Sequence, residues 1–110
     1  MIYNCNVKAI FLFAKHALEL LKESKGNIIN IGSVHSVVTS NEIAAYASSK
    51  AALNMMTKSL AHVLGPEIRI NTVAPGPIKT RWLKEGMGDE AYSALIEQAE
   101  KELPLKQVAT

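Results

Sequence analysis

Three stretches, Gly26-Asn-Ile-Ile-Asn-Ile-Gly-Ser33, Tyr46-Ala-Ser-Ser-Lys50 and Ile68-Arg-Ile-Asn-Thr-Val-Ala74, decide the fold of this chain. The first and third are rich in Ile and Val, with little polar alternation apart from asparagines. That pattern belongs to parallel strands covered on both faces. Between them a helical stretch runs from about Glu42 to Leu64. Ser40 or Asn41 is placed to cap its start, and Gly65-Pro66 stops its end. Strand, long helix and strand make a right-handed βαβ unit. The expected fold class is therefore α/β with a parallel sheet, in the order helix, strand, helix, strand, helix. In such sheets ligands bind outside the carboxyl ends of the strands. Ser33 and Pro75-Gly76 fall at those ends, and Tyr46 opens the helix that leaves the same edge.

Tyr46 and Lys50, at i and i+4, lie on one helix face a turn apart. A free phenol, with a pKa of about 10, is a poor proton carrier at neutral pH. A lysine cation roughly 5 Å away, at an effective dielectric of about 20, stabilises a phenolate by about 3 kcal/mol, less what desolvation takes back. The pair therefore reads as a tuned acid/base. Taken alone, Tyr-x-x-x-Lys is an ordinary pair on an exposed helix. Its context comes from Ser33, which precedes Tyr46 by 13 positions, and from the strand that runs into Pro75-Gly76-Pro77-Ile78-Lys79-Thr80. Ser33 is placed to hydrogen-bond the same substrate oxygen.

Together these residues resemble the classical short-chain dehydrogenase/reductase family along nearly the whole chain. Asn6-Val-Lys-Ala-Ile-Phe is similar to the family's helix with the catalytic asparagine, and Asn6 fits that pattern better than Asn4. Gly32 departs from the family, where a second serine is common, and little effect is expected of it. The resemblance implies hydride transfer between NAD or NADP and an alcohol or carbonyl carbon. It implies Tyr46 as acid/base and Ser33 as the group that orients the substrate oxygen. Lys50 would favour the phenolate and bind the nicotinamide ribose, and Asn6 would hold a water joining Lys50 to solvent. Pro75, Gly76, Pro77, Ile78 and Thr80 would shape the nicotinamide pocket. His35 and Trp82 are candidate substrate contacts, with Leu83, Met87 and Tyr92 near them. Loop histidines are more often plain hydrogen-bonding residues. His16 and His62 read as structural or exposed, and Asn30 and Asn71 as ties between backbones.

The 110 residues suggest one domain at most. A hydrophobic content of 48% fits a globular chain. The net charge of +2 contains no basic block, so nucleic acid finds no support as a partner. Cys5, the single cysteine, has no internal disulfide partner and reads as a small helix-face residue. No stretch has the uncharged length of a membrane span, and no signal-peptide layout opens the chain; a cytoplasmic location is expected. In the first helix, from about Tyr3 to Leu21, Val7, Ile10, Phe11, Ala14, Leu18 and Leu21 form an apolar stripe. Leu12, Phe13 and Leu20 widen it beyond one core face. Gly86-Met-Gly88-Asp-Glu-Ala91 mimics a dinucleotide fingerprint without the strand that must precede one. It reads as a flexible loop entering a helix capped by Asp89 and stopped by Pro104.

By the same resemblance, residues 1–110 form a single partial domain. It is the catalytic half of the family's fold, a partial Rossmann-like, doubly wound parallel sheet, without the N-terminal Gly-rich turn that cradles the cofactor pyrophosphate. The chain reads as a fragment, with unpaired strand edges that invite aggregation and weak cofactor binding by itself. The family implies a homodimer or homotetramer through the helices at 3–21 and 42–64. Two other readings stand beside the oxidoreductase: a non-enzymatic truncated module associating through those helices, and the extended branch of epimerases and dehydratases. The Pro75-Gly76-Pro77-Ile78 loop and the spacing from Ser33 to Tyr46 favour the classical branch. The substrate and the choice between NAD and NADP are not legible.

Overall fold

The structure, a computed structural model, describes residues 1–38 and 43–110. It divides into two compact units, Met1–Pro75 and Gly76–Thr110. In the first unit, β1 (Asn27–Ile31) and β2 (Arg69–Val73) pair in parallel, with Asn27 opposite Arg69 and Ile31 opposite Val73. Hydrogen bonding continues past the strands. The Gly32 N–H donates to the Val73 carbonyl at 2.7 Å and the Val34 N–H to the Pro75 carbonyl at 2.9 Å. The expected α/β class is therefore present, and its strand ends are held side by side.

The connection between the strands contains α2 (Ala44–Leu64). The expected start at Glu42 and the caps at Ser40 or Asn41 lie outside the described residues. At the other end Gly65 turns to extended backbone, as its place before Pro66 requires. Ser49, Leu53 and Thr57 are buried along α2 at four-residue spacing, and Ala47 is buried as well. Leu53 is 1% exposed, as is Ile68 just before β2. Full burial of a leucine contributes about 1.5–3 kcal/mol.

The sheet has one covered face. Asn30 and Ile70 are buried, while Ile29, Ile31 and Val73, pointing the other way, are exposed. The expectation of strands covered on both faces thus holds on one side only, because the described residues of this unit place helices against a single face. Asn30 also departs from its expected backbone role. Its Nδ2 donates to Thr57 Oγ1 at 2.8 Å, and Thr72 Oγ1 donates to the same atom at 2.9 Å. Thr57 in turn donates to the Leu53 carbonyl at 2.9 Å. One helix hydroxyl thereby pins both strands to α2.

Gly32 has a steric reason to lack a side chain. A Cβ there would lie 2.6 Å from Thr72 Cγ2 and 3.2 Å from the Val73 carbonyl oxygen. The close approach of β2 leaves no room for the serine common in the family.

The first helix is not regular. A π turn over Asn4–Lys8 precedes α1 (Ala9–Glu23), and the Ala9 N–H reaches five residues back to the Asn4 carbonyl. Ala14 is buried, and Val7, Ile10, Leu18 and Leu21 are half-buried, as the stripe requires. Phe11 does not follow the stripe and is exposed, as are Leu12, Phe13 and Leu20.

In the second unit, α3 (Arg81–Met87) and α4 (Asp89–Glu102) follow an extended segment. Ile78 bridges Ala109 in parallel, and Val108 is 1% exposed. Two expectations change here. Gly86 and Met87 belong to α3 rather than to a loop, and the break is confined to Gly88, whose φ of +83° glycine tolerates. Asp89 is the first residue of α4, not its cap, and its carboxylate pairs with Lys84 at 3.3 Å. Leu103 leaves the helix in extended geometry before Pro104.

Candidate active site

Ser33 lies two residues past β1 in extended conformation and is 6% exposed. Its Oγ accepts from the His35 N–H at 3.2 Å, capping the short 3-10 turn Val34–Ser36. With that oxygen accepting from the backbone, the hydroxyl proton is the part of Ser33 suited to meet a substrate oxygen.

Tyr46 and Lys50 occupy the first turns of α2, both half-buried. Lys50 Nζ stands 5.8 Å from the centroid of the Tyr46 ring. It donates to the carbonyl of Ile31, the last residue of β1, at 2.8 Å. The ammonium is thus tied to the strand end from which Ser33 follows. Burial pushes the Lys50 pKa down from its ordinary value, because a charged amine loses solvation there. One of its three donors is engaged by Ile31, and the other two suit a pair of hydroxyl acceptors.

The His35 ring meets the Tyr46 ring edge-on, with centroids 6.4 Å apart. His35 Nδ1 lies 3.3 Å from the Val38 carbonyl. A carbonyl only accepts, so in this contact Nδ1 is the donor. Asn6 sits in the π turn, a distortion frequent at functional sites. Its Nδ2 donates to Ser49 Oγ at 3.0 Å.

Ser33, His35, Tyr46 and Lys50 are therefore joined through contacts within the first unit, Asn6 reaches them through Ser49, whose hydroxyl donates to the Tyr46 carbonyl, and Pro75 closes the ladder beside Val34. Gly76, Pro77, Ile78, Thr80 and Trp82 belong to the second unit. There Thr80 Oγ1 accepts from the Leu83 N–H at 3.4 Å and caps α3. Ile78 is fixed by its bridge to Ala109, and Trp82 is 71% exposed. His16 and His62 are exposed. Ser49 and Thr57 escaped sequence reasoning. Their signal was a hydroxyl on the same helical stripe as Tyr46 and Leu53, at positions where a core helix would carry an apolar residue.

Known proteins share this fold. The family model described as enoyl-(acyl carrier protein) reductase matches residues 1–110. The chain belongs to the short-chain dehydrogenase/reductase family, and its fold is that of the family's Rossmann-type dehydrogenases. It is 44% identical over 77 residues to the short-chain dehydrogenase/reductase homolog YusR of Bacillus subtilis, covering 69% of this chain and 60% of YusR. A 4-hydroxyisoleucine dehydrogenase mutant complexed with NADH and succinate superposes with a TM-score of 0.80 at 32% identity, over 97% of this chain and 44% of that one. Gluconate 5-dehydrogenase from Burkholderia cenocepacia, complexed with NADP and tartrate, gives a TM-score of 0.80 at 28% identity, over 94% and 40%. The chain thus spans less than two thirds of the length of each.

Proposed function

We propose that this chain carries the proton-handling part of an NAD- or NADP-dependent oxidoreductase that interconverts an alcohol and a carbonyl compound. The observation that carries the reading is the Lys50 ammonium, held by the Ile31 carbonyl and 5.8 Å from the Tyr46 ring. That places a fixed cation beside the phenol in a half-buried site, where both can meet one polar ligand. Tyr46 takes the hydroxyl proton of an alcohol, or gives a proton to a carbonyl oxygen. Ser33, with its oxygen occupied by the His35 N–H, donates its own proton to that same substrate oxygen and orients it.

Beyond its bond to Ile31, Lys50 has two further donors that suit the ribose hydroxyls of a nicotinamide nucleotide, and this donor set is the feature of the first unit that fits the cofactor. When bound, the nicotinamide supplies the hydride chemistry. Pro75, Gly76, Pro77, Ile78 and Thr80 would shape its pocket. Asn6 would hold a water that connects Lys50 to solvent. His35 Nε2 would accept from a second hydroxyl of the substrate, and Trp82 would contact its apolar part. Support for the cofactor comes from the NADH and NADP in the two related dehydrogenase structures.

A cytoplasmic setting belongs to the same proposal and rests on the family resemblance. The exposed Phe11, Phe13 and Leu20 on α1 and Met55 and Val63 on α2 support association of copies through these helices. Those side chains would equally serve a non-enzymatic module, so activity must decide between the two readings. The test is turnover with NAD or NADP against a panel of alcohols and carbonyl compounds. In a protein that joins this chain to a Gly-rich cofactor turn, Tyr46→Phe is expected to abolish turnover and to leave cofactor affinity nearly intact. Full activity in that variant would remove Tyr46 from the chemistry.

A further inference from the structure

Ser49 has 0% of its surface exposed, yet it is a polar residue on the helix that carries Tyr46 and Lys50. Its hydroxyl has one proton, which it donates to the Tyr46 carbonyl at 2.7 Å. The oxygen can therefore only accept from anything else that approaches. Asn6 approaches from the π turn with Nδ2 at 3.0 Å.

An asparagine amide has a donor end and an acceptor end of nearly equal size, so its surroundings must choose between them. Here the choice rests on the Ser49 proton. Because the Tyr46 carbonyl takes that proton, Ser49 can receive Nδ2 and cannot receive Oδ1. The Asn6 carboxamide is thereby turned with its nitrogen toward α2 and its oxygen away from it.

We propose that Ser49 is a positioning residue for the reaction. It fixes the orientation of the Asn6 amide, and ties the π turn to the helical turn that holds Tyr46 and Lys50. The inference rests on the oxidoreductase reading for its consequence, because the Asn6 oxygen matters to catalysis only if Asn6 holds the water that serves Lys50. The hydrogen-bond relay itself does not depend on that reading. Tyr3 Oη donates to Ser48 Oγ at 2.9 Å. This second link between the same two helices keeps them in register when the Ser49 link is cut.

The orientation is read in this chain, labelled with nitrogen-15, from the Asn6 side-chain amide protons. In the wild type they are expected to be well separated in shift and slow to exchange with solvent. In Ser49→Ala and in Ser49→Cys, exchange should rise at least tenfold, on the order of one lost neutral hydrogen bond. Cysteine keeps the volume and is a weak acceptor, so protection retained in Ser49→Cys would assign Ser49 to packing and overturn the proposal. Unchanged exchange in Ser49→Ala would overturn it as well.

Kinetics then reads the consequence. Ser49→Ala should lower kcat by about tenfold with cofactor KM unchanged, and should add nothing in an Asn6→Ala background. Additive losses would sink the coupling. Tyr46→Phe separates the two ideas. If that variant turns over normally, the oxidoreductase reading fails while the amide measurement still decides the orientation.

Discussion

Thr57→Val removes one hydroxyl from the junction of β1, β2 and α2 and leaves the shape of the side chain almost unchanged. Thr57 and Asn30 are each 4% exposed. The lost oxygen accepts from Asn30 Nδ2 at 2.8 Å and from Thr72 Oγ1 at 2.9 Å. The Leu53 carbonyl loses the Thr57 hydroxyl but keeps the backbone N–H four residues on. Thr72 is half-buried and can turn to water. Asn30 cannot, so the dominant loss is one stranded buried donor, which costs about 2 kcal/mol. Urea unfolding followed by far-ultraviolet circular dichroism measures it, as a lower midpoint at unchanged slope. Adding Asn30→Leu should recover much of the loss, since replacing both partners with apolar groups of similar shape is nearly neutral. A loss below about 0.5 kcal/mol, within the range of ordinary surface substitutions, would refute the view that this hydroxyl holds the strands to the helix.

Lys50 should give the stability a pH dependence of known sign. Burial lowers its pKa in the folded chain from 10.5, so in the alkaline range just below that value the unfolded chain binds more protons. Stability relative to Lys50→Met should therefore rise as pH increases through that window; a difference that falls there in denaturation titrations would contradict the assigned cause. Phe13 is 75% exposed on α1, and Phe13→Glu should weaken self-association with little effect on monomer stability. Sedimentation velocity would show this, and an unchanged distribution of species would exclude this part of α1 from the contact.

The parts of the fold that were legible are those fixed by long apolar runs. The Ile-rich strands at Asn27–Ile31 and Arg69–Val73 and the helix between them need only burial and length to be recognised. The Tyr46–Lys50 pair was legible because helical spacing alone sets its geometry. The Asn4–Lys8 π turn was not, since one wide turn leaves the apolar stripe almost intact. Ser49 and Thr57 were hidden for a different reason: a hydroxyl in a sequence looks solvated until its partners are known. The end of short α3 was misread because Gly86 and Gly88 together look like a loop, whereas only Gly88 breaks the helix.

The wide turn also acts as a phase shifter. A residue in an α-helix advances the azimuth by about 100°, so one extra residue accommodated in a single turn separates the angular setting of the segment before it from that of the segment after it. Asn6 can face Ser49 while Ala14, two turns on, is buried in the interior. Winding the same residues as a regular α-helix would turn the segment before Asn4 by about 100° relative to the segment after Lys8 and carry one of these two contacts out of place. The helix therefore carries two independent rotational addresses, one for the site and one for the core.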